Sequence, residues 1–401
     1  MYYNKSMKIL ILMVFLISCS STRPKYPIDS FFKNKQYESA QNVLETNEED
    51  YLIKILNKSI ILQAQGKFKE SNSLLFEVKN IIKWNDFLTI KDSTLSFVLN
   101  EKYKKHQLAE YEQFLVQVYV VLNFLYLNDH DSALVELRNL DNAIYNLKQN
   151  NSNFSFLDKT HISYLSGMVY EMAGKYDEAF IDYMRVAQVN PNHPYLKFDL
   201  YRTASYSHQY SKARDIAIKH EIPNEYKKYI DNNPNRYGHA IFLYHQGMSP
   251  LKDEHSNFSN VPVFIKRMSH SDRMEVYLNN SHYGHTFTFL DIEKLAVDFQ
   301  EAQVKSIHKK EMARKVLKEM AAWAVALPSG FVSVAATRTA FQHTGEADLR
   351  SWYLLPQTIQ IARIGVKQGT YNVKIKYTEL DTEEKTVSIK RYKVLPFNYH
   401  L

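Results

Sequence analysis

No proline falls between Pro27 and Pro191, and that interval holds only Gly66, Gly167 and Gly174. The other seven of the ten glycines lie beyond residue 237. Proline and glycine break helices and make turns. The first half is therefore expected to be nearly continuous helix, while the second half has the punctuation of strands and hairpins. So uneven a placement argues against one large α/β enzyme, which needs glycine-rich strand-to-helix turns along its whole length.

A chain of 401 residues admits two to three domains, each with its own core. A hydrophobic share of 45% and a charged share of 23% are those of an ordinary globular protein and exclude bulk disorder. The N-terminus carries Lys5 and Lys8, an apolar run from Ile9 to Ile17, and then Ser18-Cys19-Ser20-Ser21. This is the order of a secretory signal: basic, apolar, small. The apolar run is too short to span a bilayer as helix, and Met7 would serve as a start as well as Met1. Leu16-Ile17-Ser18-Cys19 resembles the lipobox of bacterial lipoproteins. The resemblance implies cleavage before Cys19, acylation of that residue, and, with Ser20 behind it, sorting to the outer membrane. Several acyl chains on one residue anchor firmly. Cys19 is the sole cysteine, so neither an intramolecular disulfide nor a thiolate zinc site is available.

Loss of residues 1–18 removes two lysines and no acid from a formal charge of +7. The remaining basic residues are dispersed, as in Lys309-Lys310 and Lys390-Arg391, with no aromatic-interleaved stripe for nucleic acid. Nucleic acid is not an expected partner.

The segment His161–Asn190 has apolar or aromatic residues at Tyr164, Met168 and Tyr170, then Ala173-Gly174-Lys175-Tyr176-Asp177-Glu178-Ala179-Phe180, then Tyr183 and Pro191. It resembles a tetratricopeptide repeat. Gly167 and Tyr170 match the small and large positions of the first helix, and Ala179 and Tyr183 those of the second. Weaker copies place small residues at Ala40, Ser71, Ala133 and Ala213, followed four residues later by Leu44, Leu75, Leu137 and, less regularly, Ala217. The longest interval, from Ser71 to Ala133, leaves room for an irregular or extra helical pair. A generic helical bundle is the alternative. Repeats of this family stack and usually bind a peptide or protein, so envelope proteins are the expected partners.

Beyond Asn232-Asn233-Pro234-Asn235, strand-like runs are expected at His239–His245, Val261–Met268, Arg273–Asn279 and His285–Leu290. Thr358–Ile364, Tyr371–Tyr377 and Thr386–Val394 close the chain, the last two joined by an acidic loop, Asp381–Glu384. Between these groups, about 292–342 reads as a helical insertion. Its apolar arms Met320–Leu327 and Phe331–Ala336 suit a buried hairpin better than a membrane insertion. The expected fold is thus an N-terminal tetratricopeptide-like helical repeat array followed by an α+β domain with a mainly antiparallel sheet. The domains run 1–18 (signal), 19–26 (lipidated tether), 27–222 (repeats) and 235–401 (α+β).

Two segments stand out in the second half: Gly247-Met248-Ser249-Pro250-Leu251-Lys252, and Asp348-Leu349-Arg350-Ser351-Trp352-Tyr353-Leu354-Leu355-Pro356. With the lipobox and the repeats, they make the chain resemble an uncharacterised family of bacterial lipoproteins. That family joins tetratricopeptide-like helices to a C-terminal domain with Gly-x-x-Pro-x-Lys and Asp-x-Arg-Ser-Trp…Leu-Pro motifs. The resemblance implies an envelope location and this architecture, and no chemistry.

Physically, Asp348 and Arg350 could hold a loop through charge-assisted hydrogen bonds, with Trp352 packed beneath and Arg363 sharing the same carboxylate. Lys252 is expected in a salt bridge at the turn edge. A clamp for a ligand carboxylate or phosphate is the functional alternative for Lys252, Asp348, Arg350 and Arg363. No nucleophile elbow, P-loop or dinucleotide fingerprint is present. The pair His282 and His285 lacks the helical spacing of a zinc motif. No catalytic residue, metal or cofactor is expected. The function expected is that of an outer-membrane lipoprotein facing the periplasm and docking protein partners. A periplasmic module for a cell-wall or carbohydrate ligand is the second expectation.

Overall fold

The computed structural model describes residues 28–91, 108–150, 159–232, 237–254, 262–267, 269, 273–302, 348–378, 381–390 and 392–400. Cys19 and the expected apolar hairpin between 320 and 336 lie outside them, as does most of the expected insertion. Residues 292–302 are helical. The chain forms two compact units, Met1–Glu48 and Glu49–Leu401.

The first unit holds α1 (Ile28–Lys33) and α2 (Tyr37–Thr46), with Ile28, Phe32, Ala40 and Leu44 buried. In the larger unit, α3 (Tyr51–Ala64) pairs with α4 (Phe68–Lys91), and α5 (Glu110–Tyr126) with α6 (His130–Asn150). The pairs α7 (Lys159–Met172) with α8 (Tyr176–Val189) and α9 (Leu196–Tyr206) with α10 (Tyr210–Lys219) follow, and then α11 (Asn224–Asn232).

One turn builds every pair. Lys35, Gly66, Asn128, Gly174 and His208 all have φ between 57° and 77°. Each N–H bonds the carbonyl three residues back, and the next N–H bonds the carbonyl five back, as in Gly174 to Glu171 and Lys175 to Tyr170. This is the Schellman closure, which satisfies the last carbonyls of the first helix. Glu221, φ 50°, repeats it after α10. In each pair the small residue follows five positions after the turn residue, at Ala40, Ser71, Ala133, Ala179 and Ala213, and all five are buried. At Gly167 the reason for smallness is explicit, because a Cβ there would stand 2.8 Å from the Tyr183 ring. This is the small-against-aromatic contact of a tetratricopeptide pair. Tyr170 is half-buried.

Ten strands follow. One sheet has the order β10-β1-β7-β6, formed by β1 (Tyr237–Gln246), β6 (Phe287–Asp291), β7 (Thr358–Lys367) and β10 (Tyr392–His400). The second has the order β5-β4-β8-β9, formed by β4 (Glu275–Leu278), β5 (Ser281–His285), β8 (Gly369–Lys376) and β9 (Thr382–Ile389). A short ribbon pairs β2 (Leu251–Glu254) with β3 (Pro262–Ile265). Pairing is antiparallel except for β1 with β10, which is parallel. Asn279 and Asn280, both at positive φ, make the β4–β5 turn, as hairpin geometry requires.

Three sequence expectations are corrected here. Thr386–Val394 is divided between β9 and β10. Glu383 and Glu384 belong to β9 rather than a loop, where Lys374 pairs across to Glu384 in register. Leu251 and Lys252, read as part of a turn, lie in β2.

The alternation of side chains along a strand assigns the faces of the first sheet. Ala240, Phe242 and Tyr244 on β1, with Ala362, Ile364 and Val366 on β7, join Val276, Val373, Ile375 and Val387 of the second sheet in one core. His239, Ile241, Leu243 and His245 point the other way and are equally buried. What covers that face is the repeat helices.

Candidate functional site

The contact between sheet and repeats is the densest polar feature of the described residues. Period two places Arg363 on the face of β7 opposite Ala362 and Ile364, toward the helices. Its Nη2 lies 2.7 Å from Glu171 Oε2, and its Nη1 lies 3.2 Å from Asp199 Oδ1. Arg202 completes the set, with Nη2 at 2.6 Å from Asp199 and 2.9 Å from Glu171. All four charged side chains are at most 2% exposed.

Tyrosines surround the four charged side chains. Tyr183 donates to Glu171 (2.9 Å), Tyr164 to Asp199 (2.9 Å), and Tyr392 of β10 to Glu171 (3.1 Å). Arg363 and Arg202 donate in turn to the hydroxyls of Tyr183 and Tyr226, each at 2.9 Å.

Two carboxylates and two guanidiniums cancel in charge, which is the condition for burying them at all. Burial by itself would raise the Glu171 pKa. Arg202 and then Arg363 overcome it and hold the carboxyl well below the ordinary range. Burial, reinforced by Arg202 and Arg363, keeps the nearby His239 neutral, far below its usual pKa. Burial pushes the hydroxyls of Tyr164, Tyr183 and Tyr392 well up.

A second contact lies along the chain from Asp348 to Gln357. Arg350 and Asp348 form a two-pronged pair at 2.8 Å on each arm, with Asp50 3.4 Å away. The pair is solvated, with Arg350 41% exposed. Immediately afterwards the chain dives. Trp352 is 1% exposed, its ring 5.4 Å from that of Tyr119 on α5, and its backbone N–H donates to the buried Glu112 at 2.8 Å. Leu354 N–H donates to Asn57 of α3 at 3.0 Å, and the Tyr353 hydroxyl reaches Glu49 at 2.9 Å.

The Gly247–Lys252 segment braces this strand of chain. Ser249 N–H donates to Leu355 O at 2.7 Å, and Lys252 Nζ donates to Arg350 O at 2.8 Å. Gly247, at φ 63°, passes so close to Gln357 that a Cβ would stand 2.8 Å from its amide oxygen. Further along, His245 is gripped by the hydroxyls of Tyr126 and Tyr119 at 3.3 and 3.5 Å. Burial lowers its pKa to about 3.

The two sequence motifs thus meet one another, while the expected four-residue cluster does not form. Arg363 does not share the Asp348 carboxylate with Arg350. It sits on the helix-facing side of β7, where Glu171 and Asp199 offer buried carboxylates and Asp348 is already taken by Arg350. Lys252 makes no turn-edge salt bridge and bonds a backbone carbonyl instead. His285 lies 3.2 Å from Arg273, and the His282 ring 5.0 Å from that of Tyr277. Among the described residues no group of three or more His, Cys, Asp or Glu is placed to hold a metal. No helix among them is long and apolar enough to cross a membrane.

Sequence reading missed Glu171, Asp199, Arg202, Glu112 and Asn57. Their signal is a polar side chain at a core position of an otherwise apolar helix face. Asn57 falls within Ile53–Ile61, and Asp199 with Arg202 (i, i+3) among Leu196, Leu200 and Ala204. The contributing helices α3, α5, α7 and α9 are each the first of their pair. On these first helices the chain's own sheet domain is docked.

No protein-family model matches the sequence, and no curated protein matches it either. Among solved structures, MamA from MSR-1 is similar at 12% identity, over 51% of this chain and 92% of its own, with a TM-score of 0.30. A Podosopora anserina kinesin light chain with nearly identical TPR-like repeats is similar at 15% identity, over 52% and 92%, with a TM-score of 0.32. The repeat fold rests on the turns and the Gly167–Tyr183 packing, to which these likenesses add nothing.

Proposed function

We propose that the chain is a lipid-anchored interaction component of the bacterial cell envelope, held at the outer membrane through Cys19 and facing the periplasm. The lipobox Leu16-Ile17-Ser18-Cys19 supports the anchor. The docking of the sheet domain on the first helices supports a binding role over a catalytic one. Its acids, bases and tyrosines bond one another and serve to fasten two parts of one chain. The repeat helices from α3 onward and the sheet then act as a single platform. Partners bind on the surface that the intramolecular contact leaves outside.

Radiolabelled palmitate should enter the wild-type chain and not Cys19→Ser, and label persisting in that variant would refute the anchor. Full-length protein used as bait in envelope extract should retain a defined protein partner. A bait that retains none, while remaining folded, removes the interaction role.

A further inference from the structure

Between α8 and α10, the second helices of two successive pairs, runs an open groove of about 680 Å³. Phe180, Ile181, Met184 and Ile216 supply its apolar lining. Ile181 is 51% exposed, although hydrophobic. Positions 177, 181, 185 and 188 fall on one stripe of α8, since residues four or three apart on a helix share a face. That stripe reads acid, apolar, base, amide. Asp177 stands four residues before Ile181, and Arg185 four residues after it.

Such an arrangement is self-complementary. If α8 of one copy lies antiparallel on α8 of another with the two-fold axis at Ile181, each Asp177 meets the other copy's Arg185. The isoleucines then meet at the axis. An isologous interface requires this pattern, in which residue i contacts j while j contacts i. A heterologous partner has no need for signs reversed about an apolar centre. Both charges retain capacity for a new partner. Asp177 accepts one bond from Gln209 at 2.8 Å, and Arg185, which holds Asp182 through one nitrogen, is 62% exposed. The rim formed by α10 also carries one charge of each sign, Lys212 and Asp215.

We infer that the α8–α10 groove is a homodimer interface, in which a second copy of this chain docks antiparallel about Ile181 with reciprocal Asp177–Arg185 pairs. The inference rests on the interaction reading above in taking an outer face of the repeats as the docking surface.

The test uses the full mature chain carrying Cys19→Ser, in sedimentation velocity across a concentration series, with circular dichroism melts to confirm folding. Asp177→Lys and Arg185→Glu should each weaken the dimer by about tenfold or more, and the double variant should restore it by re-forming the pairs with reversed signs. In the same background Ile181→Cys is the sole thiol. Under a mild oxidant it should give a disulfide-linked dimer, whereas Ile218→Cys, exposed on α10 away from the axis, should not. A monomer at every concentration overturns the proposal. So does a dimer indifferent to both charge reversals, or one that crosslinks at 218 and not at 181. A monomer in this test, beside a wild-type chain that takes palmitate and retains a protein partner, would remove this interface and leave the interaction reading standing.

Discussion

Arg350 and Arg363 show how far one residue type can differ in consequence. Arg350 pairs with Asp348 in water, where such a pair contributes at most about 1 kcal/mol. Arg363 lies between two buried carboxylates, and removing one member of such a set leaves an uncompensated charge at a cost of about 3–5 kcal/mol. Arg350→Ala should therefore shift the urea midpoint little, and Arg363→Met should shift it severely. Equal effects of the two substitutions in urea melts would refute the assignment of Arg363 to the Glu171–Asp199 cluster. The sequence singled out Arg363 and paired it with the wrong acid. Alternation along Thr358–Ile364 was readable, but which face of that strand would meet helices was not. Glu171 and Asp199 lie 192 and 164 positions away, and no local pattern reaches so far.

At the scale of elements, the repeat is legible because its turn is rigid. The small residues at 40, 71, 133, 179 and 213 keep a constant offset from the left-handed turn residues, although glycine fills only two of those five turns. Lys35, Asn128 and His208 occupy the rest, so counting glycines finds fewer units than packing residues do.

The glycines separate by role. Gly66 has open space where a Cβ would go, and only its φ of 77° resists substitution. Gly66→Ala should cost about 1–2 kcal/mol, and Gly66→Asn less, since asparagine tolerates this conformation, as at Asn128. Gly167 has helical backbone and no room. Gly167→Ala must displace Tyr183, whose hydroxyl serves both Glu171 and Arg363, at about 1–3 kcal/mol, and Gly167→Asn should be worse. Thermal melts of the four variants decide it, and asparagine milder than alanine at both positions would refute the distinction. In the sheet domain, strands were legible where alternation was clean, as in Tyr371–Tyr377. The β9–β10 break was not, because apolar residues run on both sides of Lys390.

For the whole molecule, the governing fact is that the repeat helices from α3 onward share one compact unit with the sheet, although the composition changes abruptly between them. The sheet covers Glu171, Asp199, Glu112 and Asn57, so a fragment of residues 20–222 would bare carboxylates and amides that the native chain satisfies. That fragment should unfold without a cooperative transition and bind a hydrophobic dye, and a sharp calorimetric transition would show instead that the repeats stand alone.

The same contact sets the acid limit of the protein. His193 and His245 have folded pKa values lowered to about 4 and about 3, in both cases chiefly by burial. In the unfolded chain they titrate near 6.5. Between these values the unfolded state binds more protons, so stability rises with pH through this window and levels off above about 6.5. Glu171 adds to the loss at lower pH. Its folded pKa lies below the unfolded value, so its stabilisation is complete above about pH 4.5 and fades as the pH falls further. Each fully shifted histidine contributes up to about 1.4 kcal/mol per pH unit. His245→Gln keeps a polar partner for Tyr119 and Tyr126 and cannot titrate, so its stability should fall less steeply than wild type between pH 6.5 and 4.5, even from a lower starting point. Urea melts at half-unit intervals measure both slopes, and parallel curves would mean that His245 is not held neutral beneath the repeats.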